Sequence, residues 1–315
     1  MLLGLGLANA IERAAPPGLE HAEIRFDPSG TATVLCGTTS QGQSHETMYA
    51  QVLCERLGIE ADNVRFVSGD TDRVAFGLGA GGSRSLALGT AALLMAADKV
   101  IDKGRVIAAT MLETAEADVV FADGRYAIVG TDRTIPFLDV VRRAFVPVGL
   151  ADGIEPGMYQ SATYKASVPS YSNGCHVCVV EIVRYVVVDD FGTVLNPLQV
   201  KGQVHSGVAQ GVGQILMEQV RYDGLSGQLL TGSFMDYAMA RSNEFAWFEI
   251  ESNPLPTATN PLGVKGAGEA GCIGALPAVM NGIIDSLSPY GIRHLDMPAS
   301  PERIWRTIRA ASMAS

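Results

Sequence analysis

Positive charge is in short supply in this sequence. Its 315 residues carry 23 lysines and arginines against 33 aspartates and glutamates, a formal net charge of −10. That balance offers little to a phosphate backbone or an anionic membrane surface and argues against nucleic acid as a partner. Long apolar runs are missing as well: no stretch approaches the roughly 18 residues of a membrane span, so none is expected. The N-terminal MLLGLGLANAIERAAPP lacks the basic leader of a signal peptide. Cysteine is sparse. Cys36, Cys54, Cys175, Cys178 and Cys272 make an odd, scattered set, which fits free thiols in a reducing compartment and makes the cytoplasm the expected location. Cys175-His-Val-Cys178 is a lone C-x-x-C, and alternation along a strand explains it better than metal or redox chemistry. Neither a fixed-period repeat nor a low-complexity tract is evident.

What the chain does have is glycine in dense clusters. Gly263 to Gly271, GVKGAGEAG, holds four glycines, one lysine and one carboxylate, Glu269, in nine residues. The apolar helix expected after it, CIGALPAVMNGIIDSL, places Glu269 where a loop feeds a helix N-terminus, an end that favours anions. Gly266-Ala-Gly268-Glu-Ala-Gly271 also spells G-x-G-x-x-G. A dinucleotide fingerprint needs a buried strand just before its glycines. Pro254, Pro256 and Pro261 are poor material for one, and a carboxylate inside the turn would repel a pyrophosphate. Two readings stay open on the residues alone: a catalytic base shown to a close-fitting ligand, or a glycine-rich helix entry with a solvated glutamate.

A second cluster ends the loop from Thr71 to Gly82, where GLGAGG runs into Ser83-Arg-Ser85 and a long Ala/Leu helix to about Lys103. Exposed backbone N–H groups, two hydroxyls and a helix start together make a phosphate seat that needs little positive charge. Ser40-Gln-Gly-Gln-Ser-His45 is a similar helix entry whose amides can read a polar heterocycle. Ser44 is the expected cap of a helix with apolar positions Met48, Val52, Leu53 and Leu57, stopped by Gly58. On a helix expected over Lys201–Val220, Gln203, Gln210 and Gln214 share a face with Gly207 and Gly211. That face reads as a hydrogen-bonding wall against a ligand or, failing that, as a tight helix–helix contact.

Elsewhere, residues 1–12 form a short strand or helix. His21–Phe26 and Thr31–Cys36 are strands joined by the Asp27-Pro-Ser-Gly30 turn, and Val64–Val67 is another. Asp123-Gly124 turns a hairpin over Phe121–Val129. Thr134-Ile-Pro136 opens a short helix through Arg143. Tyr159–Val168 is a strand, and Val177 to Val188 reads as one long strand with no turn residue. Phe234, Trp247 and Phe248 are expected core aromatics. Ser300-Pro301 caps and starts a last amphipathic helix. The fold class is therefore α+β: two layered units with mixed or antiparallel sheets, residues 1–150 and 151–315, facing one ligand.

SQGQSHETMYAQV (40–52), GDTDRVAFGLGAGGSRS (69–85), VDDFGTVLNPLQVKGQVHSGVAQGVGQ (188–214) and GVKGAGEAG (263–271) occur in that order. Together they resemble the molybdenum-binding large subunit of the xanthine dehydrogenase and aldehyde oxidase family. The likeness is strongest to its bacterial carbon-monoxide dehydrogenase and N-heterocycle hydroxylase branch, and it extends over almost the whole chain. The resemblance implies a molybdenum–molybdopterin cytosine dinucleotide cofactor. Gln43, Gly82, Ser83 and Ser85 match residues that hold the pterin and its phosphates, and Gln210 matches a glutamine contacting the pterin. Glu269, in a segment with Gly266 and Gly268, matches the catalytic base. The implied reaction inserts water-derived oxygen at an electron-poor carbon of an aldehyde or N-heterocycle, or oxidises carbon monoxide, with a small molecule as substrate. Electrons would leave through iron–sulfur clusters and FAD on partner subunits. The family's N-terminal half, which supplies the substrate pocket, has no counterpart here, and the run VVEIVRYVVVDD lacks the family's acidic, glycine-containing hairpin turn. The chain is thus expected to be a split subunit or a fragment that works with that half and with iron–sulfur and flavin subunits. The alternative is a non-catalytic scaffold or assembly protein derived from the family.

Overall fold

The computed structural model describes residues 3–180 and 182–314. They form two compact units that interleave along the chain. An inserted unit takes residues 15–169 and 258–262, and a host unit takes those up to 14, 170–257 and from 263 on. The boundary thus falls at 169/170 rather than near 150, and the first strand belongs with the C-terminal part. The reason is pairing: β1 (Gly4–Ala14) runs antiparallel to β9 (Ser170–Val180) over its full length, from Gly4 opposite Val180 to Ala14 opposite Ser170.

In the inserted unit β2 (Gly18–Phe26), β3 (Ala32–Cys36), β4 (Val64–Ser68) and β8 (Tyr159–Ala166) form a mixed sheet in the order β4-β3-β2-β8. The turn between β2 and β3 is the expected one: Asp27 Oδ1 accepts the Ser29 N–H at 2.9 Å and the Gly30 N–H reaches Asp27 O at 3.0 Å. Helix α1 (His45–Leu57) crosses from β3 to the parallel β4 and stops at Gly58, whose left-handed backbone returns its N–H to Cys54 O. At the other end Ser44 occupies the cap position with φ 64° and makes no capping bond. Its left-handed backbone does not present the hydroxyl as an extended cap residue would. Helix α2 (Thr90–Leu112) packs on β2 and β8 and runs nine residues beyond the expected end at Lys103. Strands β5 (Val119–Ala122), β6 (Arg125–Ile128) and β7 (Thr134–Pro136) make a small antiparallel sheet. Thr134–Pro136 is therefore strand, not helix. Its pairing with Arg125–Ala127 delays α3 (Phe137–Ala144) until after the proline.

In the host unit the order is β1-β9-β10-β11, with β10 (Arg184–Asp190) antiparallel to β9 and parallel to β11 (Phe248–Ser252). The run expected as one strand is a tight hairpin. Residue 181 lies outside the described residues; Ile182 has φ 53°, and the Val183 N–H donates to Val179 O at 3.1 Å. Helices α4 (Pro197–Leu216), α5 (Ala270–Leu287) and α6 (Pro301–Ala314) complete the unit. Asn196 caps α4, starting it one turn earlier than expected, and Ser300 accepts the Arg303 N–H at 3.3 Å at the entry to α6.

Helix α5 is the centre of this unit. Gly4 and Gly6 of β1 touch its backbone so closely that a Cβ at either would overlap Gly282 O or Ala278 O. The imidazole of His176 lies against Gly274 in the same way. On the opposite side, a Cβ at Gly207 would come within 3.0 Å of Gly271 Cα, and one at Gly211 within 2.8 Å of Ala275 Cβ. The contact reading of the α4 glycines is thus the one that holds, while Gln210 and Gln214 on the adjoining strip face solvent. With its extension to Tyr290, α5 is long and apolar enough to cross a membrane, which the sequence reading passed over. Here its apolar surface is buried against β1, β9 and α4. The exposed edge of β1 is partly covered by α5 side chains: Asp285 accepts the Leu5 N–H and Asn281 donates to Leu7 O, both at 2.9 Å. Such blocking of an edge strand works against pairing with another chain. Phe248 is core, but Phe234 and Trp247, expected beside it, are 81% and 73% exposed.

Candidate functional site

The structure brings the expected residues together in two sets, one in each unit. In the inserted unit the loop after β3 and the loop before α2 meet back to back. Gly37 and Gly77 approach at backbone distance, with no room for a Cβ on either, and the Gly79 N–H donates to Gly37 O at 3.2 Å. The SQGQS segment therefore lies beside GLGAGGSRS. A Cβ at Gly42 or Gly81 would meet nothing within 4 Å, so both backbones border open space that a ligand can approach.

Ser83 has a left-handed backbone, φ 49°, and its hydroxyl is buried with no hydrogen-bond partner. Ser85 has no side-chain partner among the described residues either. The intervening Arg84, which sequence reasoning left unassigned, turns inward. Its guanidinium pairs with buried Glu20 at 3.0 Å and donates to Leu19 O at 2.7 Å. Burial pushes the Glu20 carboxyl up, and the Arg84 charge pulls partly against it. Gln43 is already engaged: its Nε2 donates to Thr39 O at 3.2 Å and Gln41 Oε1 at 3.0 Å, and its Oε1 accepts the Gln41 N–H. In this geometry the QGQ loop is closed on itself. The resemblance had put that amide on the pterin.

In the host unit Glu269 occupies the cap position of α5. Its carboxylate is exposed, accepts no capping bond and has no partner among the described residues. The loop carrying it is held firmly. The Lys265 N–H donates to Phe191 O at 2.8 Å, and the Thr193 N–H to Gly263 O at 2.9 Å. The Lys265 ammonium pairs with Asp190, whose Oδ1 accepts the backbone N–H groups of Gly192 and Leu255 at 2.8 and 2.9 Å. Burial raises the Asp190 carboxyl, but Lys265 and these N–H groups outweigh it and hold the group below the usual carboxylate range. The Ser172 hydroxyl donates to Gly266 O, while Gly268 is exposed beside Glu269. Lys265 in the motif is thus a structural ion-pair partner. In the first turn of α5, burial pushes the Cys272 thiol up, with the Glu269 and Glu218 carboxylates adding to it. Gln210 projects from α4, whose neighbouring glycines pack on the start of α5, and its amide is exposed and unpartnered among the described residues.

Each unit thus offers features that suit a polar ligand: open glycine backbone and an orphaned serine hydroxyl in the inserted unit, and an exposed amide and a carboxylate on a braced loop, both unpartnered among the described residues, in the host unit. Solved oxidoreductase structures share this fold. The Cu,Mo-carbon-monoxide dehydrogenase matches with a TM-score of 0.89 at 30% identity, covering 100% of this chain and 42% of its own. Quinoline 2-oxidoreductase from Pseudomonas putida 86 matches with a TM-score of 0.86 at 32% identity, covering 98% and 42%. The class the fold points to is that of molybdopterin-binding chains, and curated relatives match over similar spans. The carbon monoxide dehydrogenase large chain of Hydrogenophaga pseudoflava is 32% identical over 99% of this chain and 41% of its own length. The nicotine 6-hydroxylase large subunit of Paenarthrobacter nicotinovorans is 34% identical over 92% and 37%. The chain spans about two fifths of the length of these relatives. Residues 1–246 match the molybdopterin cofactor-binding domain, and the chain belongs to that family. The match ends before Glu269.

Proposed function

We propose that this chain supplies cofactor seats and the catalytic base to a molybdenum hydroxylase completed by other polypeptides. The single observation that carries the catalytic reading is Glu269: an exposed, unpartnered carboxylate on a loop fixed by Asp190, Lys265 and Ser172. A glutamate on a scaffold alone would have no need of such bracing, which weighs against the assembly-protein alternative. When bound, the molybdenum cofactor would supply the two-electron chemistry at the substrate carbon. The chain's own part is to take a proton at the Glu269 carboxylate and to hold the cofactor's polar edges. Glu269 has room and freedom to receive that proton, a role worth about 10²–10⁴-fold in rate. Ser83, Ser85 and Gln210 offer unpaired donors, and exposed Gly268 lets a ligand come near the backbone, whereas Gly266 is buried under the Ser172 hydroxyl and Gly82 packs against Pro16, so those two expected contacts are not open. Gln43 would have to exchange its loop partners for the pterin.

The cytosine dinucleotide form, the aldehyde, N-heterocycle or carbon monoxide substrate, and the iron–sulfur and flavin subunits with the N-terminal half of the large subunit belong to this reading. So does the cytoplasm, on the strength of five free thiols. Bound ligands are generally enclosed on most sides. Purified without partners, the chain is expected to be folded but nearly free of molybdenum and without hydroxylase activity. Co-produced with them it should carry both. Stoichiometric metal and turnover in the isolated chain would overturn the requirement for partners, and a loaded complex that hydroxylates nothing would favour the scaffold.

The serine seats have their own test. Removing both hydroxyls, Ser83→Ala with Ser85→Ala, should lower molybdenum and pterin per assembled complex by roughly thirtyfold, at on the order of 1 kcal/mol per hydrogen bond lost. Circular dichroism should be unchanged, since neither hydroxyl holds a partner among the described residues. Full occupancy in that variant would take the serines out of the site.

A further inference from the structure

We infer that Tyr49 is a positioning residue for the serine loop: its hydroxyl fixes the first turn of α2 in a widened form that sets where Ser83 and Ser85 face, which rests on reading those serines as cofactor contacts. Tyr49 is fully buried on α1, six residues after Gln43. Its hydroxyl donates to Ser85 O at 2.9 Å and lies 3.1 Å from the Thr38 hydroxyl, which in turn lies 3.4 Å from Cys36 Sγ. Ser85 O can only accept, so the direction of the chain is fixed. Tyr49 gives its single hydrogen to Ser85 O, Thr38 gives its own to Tyr49, and the Cys36 thiol gives its own to Thr38. One buried hydroxyl therefore ties together the loop entering QGQ, the helix leaving it and the carbonyl of the second serine.

The backbone records this contact. Ser85–Gly89 forms a π turn leading into α2. In a regular α-helix Ser85 O would accept from the Gly89 N–H. A hydroxyl inserted at that carbonyl is a known cause of such widening, and π turns occur often at functional sites. Gly89 makes the insertion possible, because a methyl group there would overlap the tyrosine oxygen. The preceding residue, Arg84, is pinned inward by Glu20 and Leu19 O. Anchors on both Arg84 and Ser85 leave the orientation of this serine pair little freedom. Burial pushes the Tyr49 hydroxyl far above its ordinary pKa, so it remains a donor across the accessible pH range.

The same helix contains a control. Tyr126, equally buried, donates to Ile101 O at 3.0 Å over Gly104, where a methyl group would again overlap the hydroxyl. There α2 stays regular, and no site residue is near in sequence. Tyr49→Phe and Tyr126→Phe thus remove the same kind of bond, one at the serine end and one in mid-helix. In complexes assembled with the partner chains, Tyr49→Phe should cut molybdenum and released pterin about fivefold, the worth of one buried hydrogen bond. Amide exchange over residues 83–89 should quicken by a similar factor. Tyr126→Phe should lower the melting temperature comparably and keep full cofactor content. Wild-type content and wild-type exchange in Tyr49→Phe, or equal cofactor loss in the two variants, would overturn the assignment. A wild-type complex without pterin would instead defeat the cofactor reading, and the exchange comparison would still decide whether Tyr49 holds the turn.

Discussion

Glu269→Gln should reduce turnover by at least about 100-fold while leaving molybdenum and pterin content unchanged. The amide keeps the shape of the side chain and removes the proton acceptor. The carboxylate is exposed and makes no hydrogen bond or ion pair among the described residues, so the fold loses nothing by the change. The bracing beneath it, from Asp190 to Lys265 and from Ser172 to Gly266 O, stays in place. Steady-state rates and metal analysis on the same preparation decide the matter. Near-normal turnover with full metal would show that the base is another group.

Arg84→Met should cost about 3–5 kcal/mol of stability near neutral pH, because it strands the buried Glu20 carboxylate without its counter-charge. Glu20 already has a raised pKa, since burial outweighs the pull of Arg84. Removing the guanidinium leaves burial opposed only by the His21 N–H, so the pKa rises further. A carboxyl whose folded pKa is raised stabilises the fold while protonated, and that stabilisation is lost as pH climbs through the folded value. The deficit of Arg84→Met should therefore be large at about pH 7 and shrink toward about pH 5. Adding Glu20→Gln should recover most of it at neutral pH. Urea midpoints for the three proteins at both pH values provide the check; an equal deficit at each would mean that lost packing, not stranded charge, is responsible.

Much of this could be read from residue order alone. The Asp27-Pro-Ser-Gly30 turn, the Gly58 stop, the Ser300 cap and the helix behind Glu269 each follow from one local rule. What escaped depended on partners distant in sequence or on a broken local rule. The turn between β9 and β10 contains no glycine, asparagine or proline, and it passes through Ile182 at positive φ, a conformation costly for a β-branched residue. No turn signal could announce it. β1 alternates cleanly, yet strand or helix could not be decided until β9 lay beside it. Phe234 and Trp247 are apolar and exposed, and hydrophobicity alone does not place a side chain inside. In the site, Glu269 stood out by its setting among glycines. Arg84, Asp190 and Tyr49 did not, because ion pairs and hydroxyl insertions join residues that the chain keeps apart.

The insertion of one unit inside the other also governs how the chain is made. About 155 residues separate the end of β1 from the start of β9. At about 5–20 residues per second, β1 leaves the ribosome roughly 8–30 seconds before its pairing strand exists. The core helix α5 that closes over it comes nearly 100 residues later still. Through that interval Leu5, Leu7 and Ile11 lie along an unpaired strand, while residues 15–169, all of the inserted unit but 258–262, have already been made. Slow codons or a chaperone acting early in synthesis should thus affect the yield of the host unit more than that of the inserted one.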